Sequence, residues 1–263
     1  MKNLIPALSL TVMILSMGEM NTIVEGRHYH PHAVLGIHRC QVDGEDQLVV
    51  RAWLEGVRSC EVVDVANETN RYQLKLQNND GFFEATIEGR TEVFPYRFRV
   101  EQHNGEIRQF YDPYSFLPTL GEQDLHFINE GSDLRVYDKL GAHMREIDGV
   151  KGVAFAVWAP NAKRVSVVGD FNHWNGLFHP MRSMGGSGIW ELFIPGLEQG
   201  NKYKFEIISQ EGNLLIKTDP YGKYFESPPN NASIVWSYDH FGWPDEAWLK
   251  ERSTRNFSRE AIS

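Results

Sequence analysis

Laid beside itself with an offset of 105 to 107 residues, the sequence matches in order along most of its length. LGIH at Leu35 answers LGAH at Leu140, and VVRAWLEGVRSCEVVD (49–64) answers AFAVWAPNAKRVSVVGD (154–170), with Trp53 opposite Trp158. GFFEATIEG (81–89) answers GIWELFIPG (188–196), YRFRV (96–100) answers YKFEI (203–207), and DPY at Asp112 answers DPY at Asp219. A period of about 100 residues is too long for a solenoid unit and is the size of one β-sandwich domain. The chain must therefore use one architecture twice.

Within each copy the segments are short, rich in Val, Ile, Phe and Tyr, partly alternating, and separated by Gly, Asn, Asp and Pro clusters. That is the pattern of antiparallel strands joined by turns. Val165 and Val167 share one face of VSVV, and Phe205 and Ile207 share one face of YKFEI, so each strand is expected to bury one side and wet the other. The expected fold class is all-β: two tandem immunoglobulin-like β-sandwiches with few short helices. The expected boundaries are an apolar extension over 1–22, a first sandwich over 23–116, a linker with a short helix over 117–140, a second sandwich over 141–240, and a tail over 241–263. Trp53 and Trp158 lie in apolar runs at equivalent places and are expected in the cores, while Trp190 suits either side. Trp236, Trp243 and Trp248, in the final polar stretch, suggest contact with another surface.

A formal charge of −9, with no clustered Lys and Arg, argues against nucleic acid as a partner. The apolar run from Leu4 to Leu15 is too short to span a bilayer, so no membrane partner is expected, although with Lys2 and Ser16 it has the form of a signal peptide. Cys40 and Cys60 lack CxxC spacing and read as free thiols. His28, His30, His32 and His38 crowd HYHPHAVLGIH without an acid or cysteine at supporting spacing, so the expectation is a turn entering the first sandwich, with no metal and no cofactor. GxSxG, P-loop, GxGxxG-after-strand and HExxH motifs are all missing.

GDFNHWNG (169–176) ends a β-branched run with glycines, asparagines and two aromatics. A pyranose shows an apolar C–H face and a rim of hydroxyls, so its binding surface wants an exposed flat aromatic beside amide and ammonium groups. Trp174 supplies the aromatic, Asn172 and Asn175 supply amides, and Lys204 with Asn230 and Asn231 completes the set if the strands bring these turns to one edge. The alternative is a tryptophan packed over the sandwich end, with asparagines used for turn geometry. The equivalent stretch of the first copy reads VANETN, so saccharide binding is expected through the second sandwich alone.

HPHAVLGIH, YDKLGAHM, GVAFAVWAPNAKRVSVVGDFNHWNG, GIWELFIPG, YKFEI and KTDPYGKYFESPPNNASIV resemble the two N-terminal domains of bacterial 1,4-α-glucan branching enzymes. The likeness runs from about Ile23 to Asn256, and the second copy is also similar to the glycogen-binding module of debranching enzymes and of the β subunit of AMP-activated kinase. The resemblance implies glucan contacts by Trp174, Lys204 and Asn230 or Asn231. It also implies a cytoplasmic setting and a role in glycogen biosynthesis. The kinase module's second tryptophan is replaced here by Leu215 or Ile216. EAWLKERSTRNFS resembles the approach to an α-amylase-type barrel, and no catalytic residue of the family carries over to this sequence. The expected function is thus that of a non-catalytic portion of a branching enzyme, inactive alone and binding α-1,4-glucan. The alternative is an adaptor docking on a separate catalytic partner.

Overall fold

Strands form where the alternation is clearest, and the repeat seen in the sequence becomes a repeat of strands. The computed structural model describes residues 15–42, 45–238, 242 and 244–254. Trp243 and nearly all of the apolar run that resembles a signal peptide lie outside the described residues. The first copy comprises β1 (Gly36–Val42), β2 (Glu45–Trp53), β3 (Val57–Asp64), β4 (Arg71–Leu76), β5 (Phe82–Ile87), β6 (Tyr96–Gln102) and β7 (Ile107–Tyr111). These pair antiparallel in the order β1-β2-β5-β4-β3-β6-β7, and the curled sheet closes on a core of Leu48, Val50, Phe83 and Ile87 facing Val62, Tyr96, Phe98 and Val100.

The second copy comprises β8 (Gly141–Ile147), β9 (Val150–Trp158), β10 (Ala162–Gly169), β11 (Arg182–Ser183), β12 (Ile189–Pro195), β13 (Lys202–Ser209), β14 (Leu214–Lys217), β15 (Tyr224–Phe225) and β16 (Ser233–Ile234). One sheet runs β11-β12-β9-β8, the other β10-β13-β16-β15 with β14 also on β13. Phe155, Val157, Trp190 and Leu192 of the first sheet meet Val165, Val167, Tyr203 and Phe205 of the second. Both copies are immunoglobulin-like β-sandwiches. Among the described residues there are three α-helices: α1 (Met17–Val24), which runs across the boundary expected at residue 22, α2 (Glu122–Glu130) in the expected linker, and α3 (Glu246–Thr254).

Three of the sequence matches turn out to be one contact, made twice. In the first sandwich the buried Asp112 of DPY accepts hydrogen bonds from the Tyr96 hydroxyl (2.5 Å) and the Tyr114 amide (2.9 Å). In the second, Asp219 accepts from the Tyr203 hydroxyl (2.6 Å) and the Tyr221 amide (2.8 Å). The LG-x-H motif leans on the same corner: His38 Nε2 donates to the Leu35 carbonyl and His143 Nε2 to the Leu140 carbonyl, each at 2.9 Å. The glycine between them has no freedom to be anything else. Gly36 (φ 97°) and Gly141 (φ 102°) hold left-handed backbone, and a Cβ would fall 2.7 Å from the Tyr114 carbonyl oxygen or 3.1 Å from Tyr221. Gly141→Ala is therefore expected to cost about 1 kcal/mol or more of stability. Thermal melting checks this, and an unchanged midpoint refutes it.

Two expectations need correction. Trp158 is 58% exposed, because Phe155 and Val157 point into the core and strand parity sends Trp158 the other way at the end of β9. Trp53 has the same parity relative to Val50 and Ala52, and is half-buried because it packs against the cluster of Met20, Ile23, Val34, Leu35 and Phe82 and its ring meets Phe178 of the second copy at 5.5 Å. Trp190, by contrast, is in the core, donating its indole N–H to the Ala159 carbonyl (3.1 Å). Second, β10 does not wet one side: Ser166 and Val168 are as buried as Val165 and Val167. Residues 179–181 bridge to the edge of β10, with the Val167 amide on the His179 carbonyl (3.0 Å) and the Met181 amide on the Val165 carbonyl (2.8 Å). The loop before them lies against Glu206 on the outer face at Gly176, and the ring of Trp53 meets Phe178 of that loop.

Candidate glucan-binding site

The two copies part company at this cover. Where the first copy reaches β4 over residues 65–70, the second makes a tight 3₁₀ turn after β10 and a longer loop before β11, which pairs with β12 as β4 does with β5. The turn is built from the inside by Asn172. Its side-chain oxygen accepts from the Gly169 amide (2.9 Å), and its side-chain nitrogen donates to the Val167 carbonyl (2.8 Å) and to His179 Nδ1 (2.9 Å). Burial pushes the His179 imidazole down to about 4, so the ring is neutral near pH 7 and free to accept that proton. Asn172 is 3% exposed with its amide fully engaged. Its expected role as a glucan contact is corrected: it positions the turn and cannot reach a ligand.

The geometry pushes the next two residues into an unusual conformation. His173 and Trp174 have φ of 54° and 59°, a left-handed backbone that disfavours any side chain with a Cβ by about 1–2 kcal/mol per residue. For a tryptophan this is an outlier, and such outliers persist where the surroundings enforce them. Trp174 stands 37% exposed, with its indole N–H donated to Asp170 (2.8 Å) and its backbone amide to the Gly169 carbonyl (2.9 Å). The ring edge is thereby fixed while part of its surface meets water. Asn175 uses its side-chain oxygen to cap the Leu177 amide (3.0 Å). Gly176 leaves space for buried Glu206, which pairs with Arg164, and a Cβ there would lie 2.0 Å from the Glu206 carboxylate.

The register of β13 against β10 sets Tyr203 opposite Gly169 and Lys204 opposite Val168, so Lys204 stands on the same outer face that the turn covers. Its ammonium donates to the side-chain oxygen of Asn231, on the loop before β16. Thr218 Oγ1 donates to the Asn231 carbonyl (2.7 Å), holding that loop against the end of β14. The structure thus brings Lys204 and Asn231 into direct contact, at the β10–β13 edge from which the Trp174 turn departs. Asn230 is exposed next to them.

Three further groups at this edge were missed from the sequence. Asp170 orients the indole. Lys202 and Glu226 form an ion pair at 2.7 Å, which draws the Glu226 carboxyl below its ordinary range and lifts the Lys202 ammonium above it. Lys202 shares strand parity with Lys204, a signal present in NKYKF; the pairing with Glu226 needs the loop of β15–β16 and has no sequence signature. The edge therefore carries an indole, an ammonium, a carboxamide, an ion pair and a second carboxylate, all near water. Such a set suits a neutral polyol that offers both donors and acceptors. Among the described residues no group of three or more His, Cys, Asp or Glu is arranged to hold a metal ion, and no helix is long and apolar enough to cross a membrane.

Comparison with known proteins divides the chain at the same place as the fold. Residues 16–114 match the model of the alpha-1,4-glucan branching enzyme GlgB N-terminal domain, and residues 139–222 match carbohydrate-binding module 48, the isoamylase N-terminal domain. The 1,4-alpha-glucan branching enzyme GlgB of Paramagnetospirillum magneticum is 42% identical over 95% of this chain and 33% of its own length. That of Thermosynechococcus vestitus is 44% identical over 95% of this chain and 32% of its own. The chain thus spans about a third of the length of the curated relatives it matches. A pullulanase from Anoxybacillus sp. LM18-11, solved with maltotriose, is 15% identical over 76% of this chain and 27% of that one, with a TM-score of 0.34, too slight a likeness to argue from.

Proposed function

This chain is made of the N-terminal domains of the 1,4-alpha-glucan branching enzyme family, and from that premise we propose that its second sandwich binds α-1,4-glucan through Trp174. The observation that carries the reading is the ring itself: a tryptophan held in left-handed backbone, tied by its N–H to Asp170, with surface left open to solvent. A core tryptophan needs neither the strain nor the exposure. Stacked on the indole, a glucose ring buries its C–H face and leaves its hydroxyls at the rim, within the reach of groups such as Lys204, Asn231 and Asn230. Asn172 acts through the turn, as a positioning residue.

The proposed units are sandwiches over 23–116 and 141–240, joined by 117–140. The proposed setting is the cytoplasm, and the proposed role is to hold glucan in glycogen biosynthesis for a catalytic barrel of the branching-enzyme type. A second reading, an adaptor that docks on a separate catalytic partner, draws on the exposure of Trp248 and Leu249 along α3.

Mobility of the purified chain in native gels with and without glycogen tests the first reading. Retardation of the unmodified chain that is abolished by Trp174→Ala, with the melting temperature retained, is the expected result. An unmodified chain that runs unhindered overturns the reading and leaves Trp174 as packing.

A further inference from the structure

Outside the site just described, a cleft of about 460 Å³ opens where the first sandwich meets the loop of the second, more enclosed than the shallow concavity beside α2. Its volume falls in the range of roughly 300–1,000 Å³ typical of small-molecule pockets. The Trp53 ring borders it, with Val24 and Leu177 as apolar neighbours, and Asn79, Asp80 and His103 carry polar groups around the opening.

We propose that this cleft is a second saccharide subsite, floored by Trp53 and reached by the same glucan chain that lies on Trp174. The continuity rests on the reading of Trp174 given above. Trp53 is held much as Trp174 is: its indole N–H donates to the Asp80 carbonyl (2.9 Å) and its ring is fixed against Phe178. A flat ring that is half-buried and already ordered loses little freedom when a sugar stacks on it. The side chains of Asn79, Asp80 and His103 are exposed and engage no other described residue, so their donors and acceptors face the cleft's solvent. An amide, a carboxylate and an imidazole together suit a neutral polyol. Asp80 and Glu55 outnumber Arg58, the one cation among the described residues that line the cleft, which is itself paired with Glu101 (3.1 Å), so the lining disfavours a phosphate-bearing ligand.

The link between the sites is covalent and short. Leu177, in the wall of the cleft, follows Trp174 by three residues, which places their Cα atoms within about 11 Å even if the chain were fully extended. The loop that precedes β11 in the second copy thus carries one platform on its tip and closes the other cleft with its base. One polymer engaging both would gain by effective concentration, with no new contact at either.

The test compares maltotriose with a long linear amylose fraction as probes, using the full chain. The amylose is expected to bind about 100-fold or more tightly than maltotriose. Asn79→Ala/His103→Ala is expected to reduce that advantage to a few-fold while leaving maltotriose binding at Trp174 unchanged. Hydrogen exchange with saturating amylose is expected to show protection at 53–57 and 76–81 as well as at 169–176. Protection at 169–176 without any at 53–57 and 76–81 overturns the second subsite and leaves the proposed function standing. Protection at 53–57 and 76–81 that persists in Trp174→Ala, with none at 169–176 in the unmodified chain, supports the Trp53 subsite and overturns the Trp174 platform. No protection at either overturns both.

Discussion

Asp219→Ala is expected to destabilise the second sandwich by about 2–5 kcal/mol. The carboxylate is 2% exposed and accepts from two groups that are themselves enclosed, the Tyr203 hydroxyl and the Tyr221 amide. Truncation leaves both donors without a partner, and an unsatisfied buried donor costs about 1–3 kcal/mol. The loss spreads beyond one turn, since Tyr221 also packs against Gly141 at the start of β8 and the Asp219 amide donates to Ser233 of β16 (3.0 Å). Asp219→Asn, which keeps an acceptor oxygen, is expected to lose far less. Asp112→Ala should repeat the effect in the first sandwich, where the corner has the same parts. Urea unfolding followed by tryptophan fluorescence checks all three. A loss under 1 kcal/mol in both alanine variants would mean that the repeated corner is not a lock.

The second large effect is acid sensitivity. Burial lowers His28, His30, His38 and His143, holds His32 well below its ordinary value, and takes His179 to about 4. A histidine whose pKa is depressed in the fold binds its proton more readily when unfolded. Its contribution is complete above its ordinary value of 6.5 and is lost as pH falls toward the folded value. For His179 the interval from 6.5 to about 4 corresponds to roughly 2–3 kcal/mol, the lower figure allowing for its partial exposure. Asp112 works the other way. Burial raises it to about 6, so the stability it contributes is full below its ordinary 3.8 and is lost as pH rises through 6. Asp219 is raised for the same reason. Asp112 and Asp219 thus work against the six histidines as pH falls, and the larger number of histidines sets the expected sign.

His32 has a geometric reason to resist protonation. Both of its ring nitrogens are buried without a hydrogen-bond partner among the described residues, its edge meets Tyr114 at 4.9 Å, and Arg182, His30 and His38 add positive charge around it. The urea midpoint is therefore expected to fall from pH 7 to pH 5. His32→Phe, which keeps the ring on Tyr114 and removes the unpartnered nitrogens, should flatten that fall and raise stability at pH 7 by about 1 kcal/mol or more. A pH profile identical in the two chains would remove His32 from the account.

How much of this was legible in the sequence differs from element to element. The 105-to-107-residue offset determined that one sandwich would occur twice, because strand cores repeat as apolar alternation and turns as Gly, Asn, Asp and Pro, both of which are local signals. GDFNHWNG marked its own place as the candidate site by the same means. Strand parity counted from Val157 turns Trp158 outward, a local signal that the apolar run around it masks. What one sequence does not hold is which separate segments meet. LG-x-H, YKF and DPY are three matches on the page and one hydrogen-bonded corner in space. Asn172 looks like a binding amide until the turn closes around it, and Trp53 reads as interior to the first sandwich until the fold sets it between α1 and the second copy's Phe178. Composition and periodicity determined the architecture, since they act along the chain. The exposure of Trp174, the burial of Asn172 and the cleft beside Trp53 were decided by tertiary structure, since each depends on what a residue far away in sequence covers or leaves open.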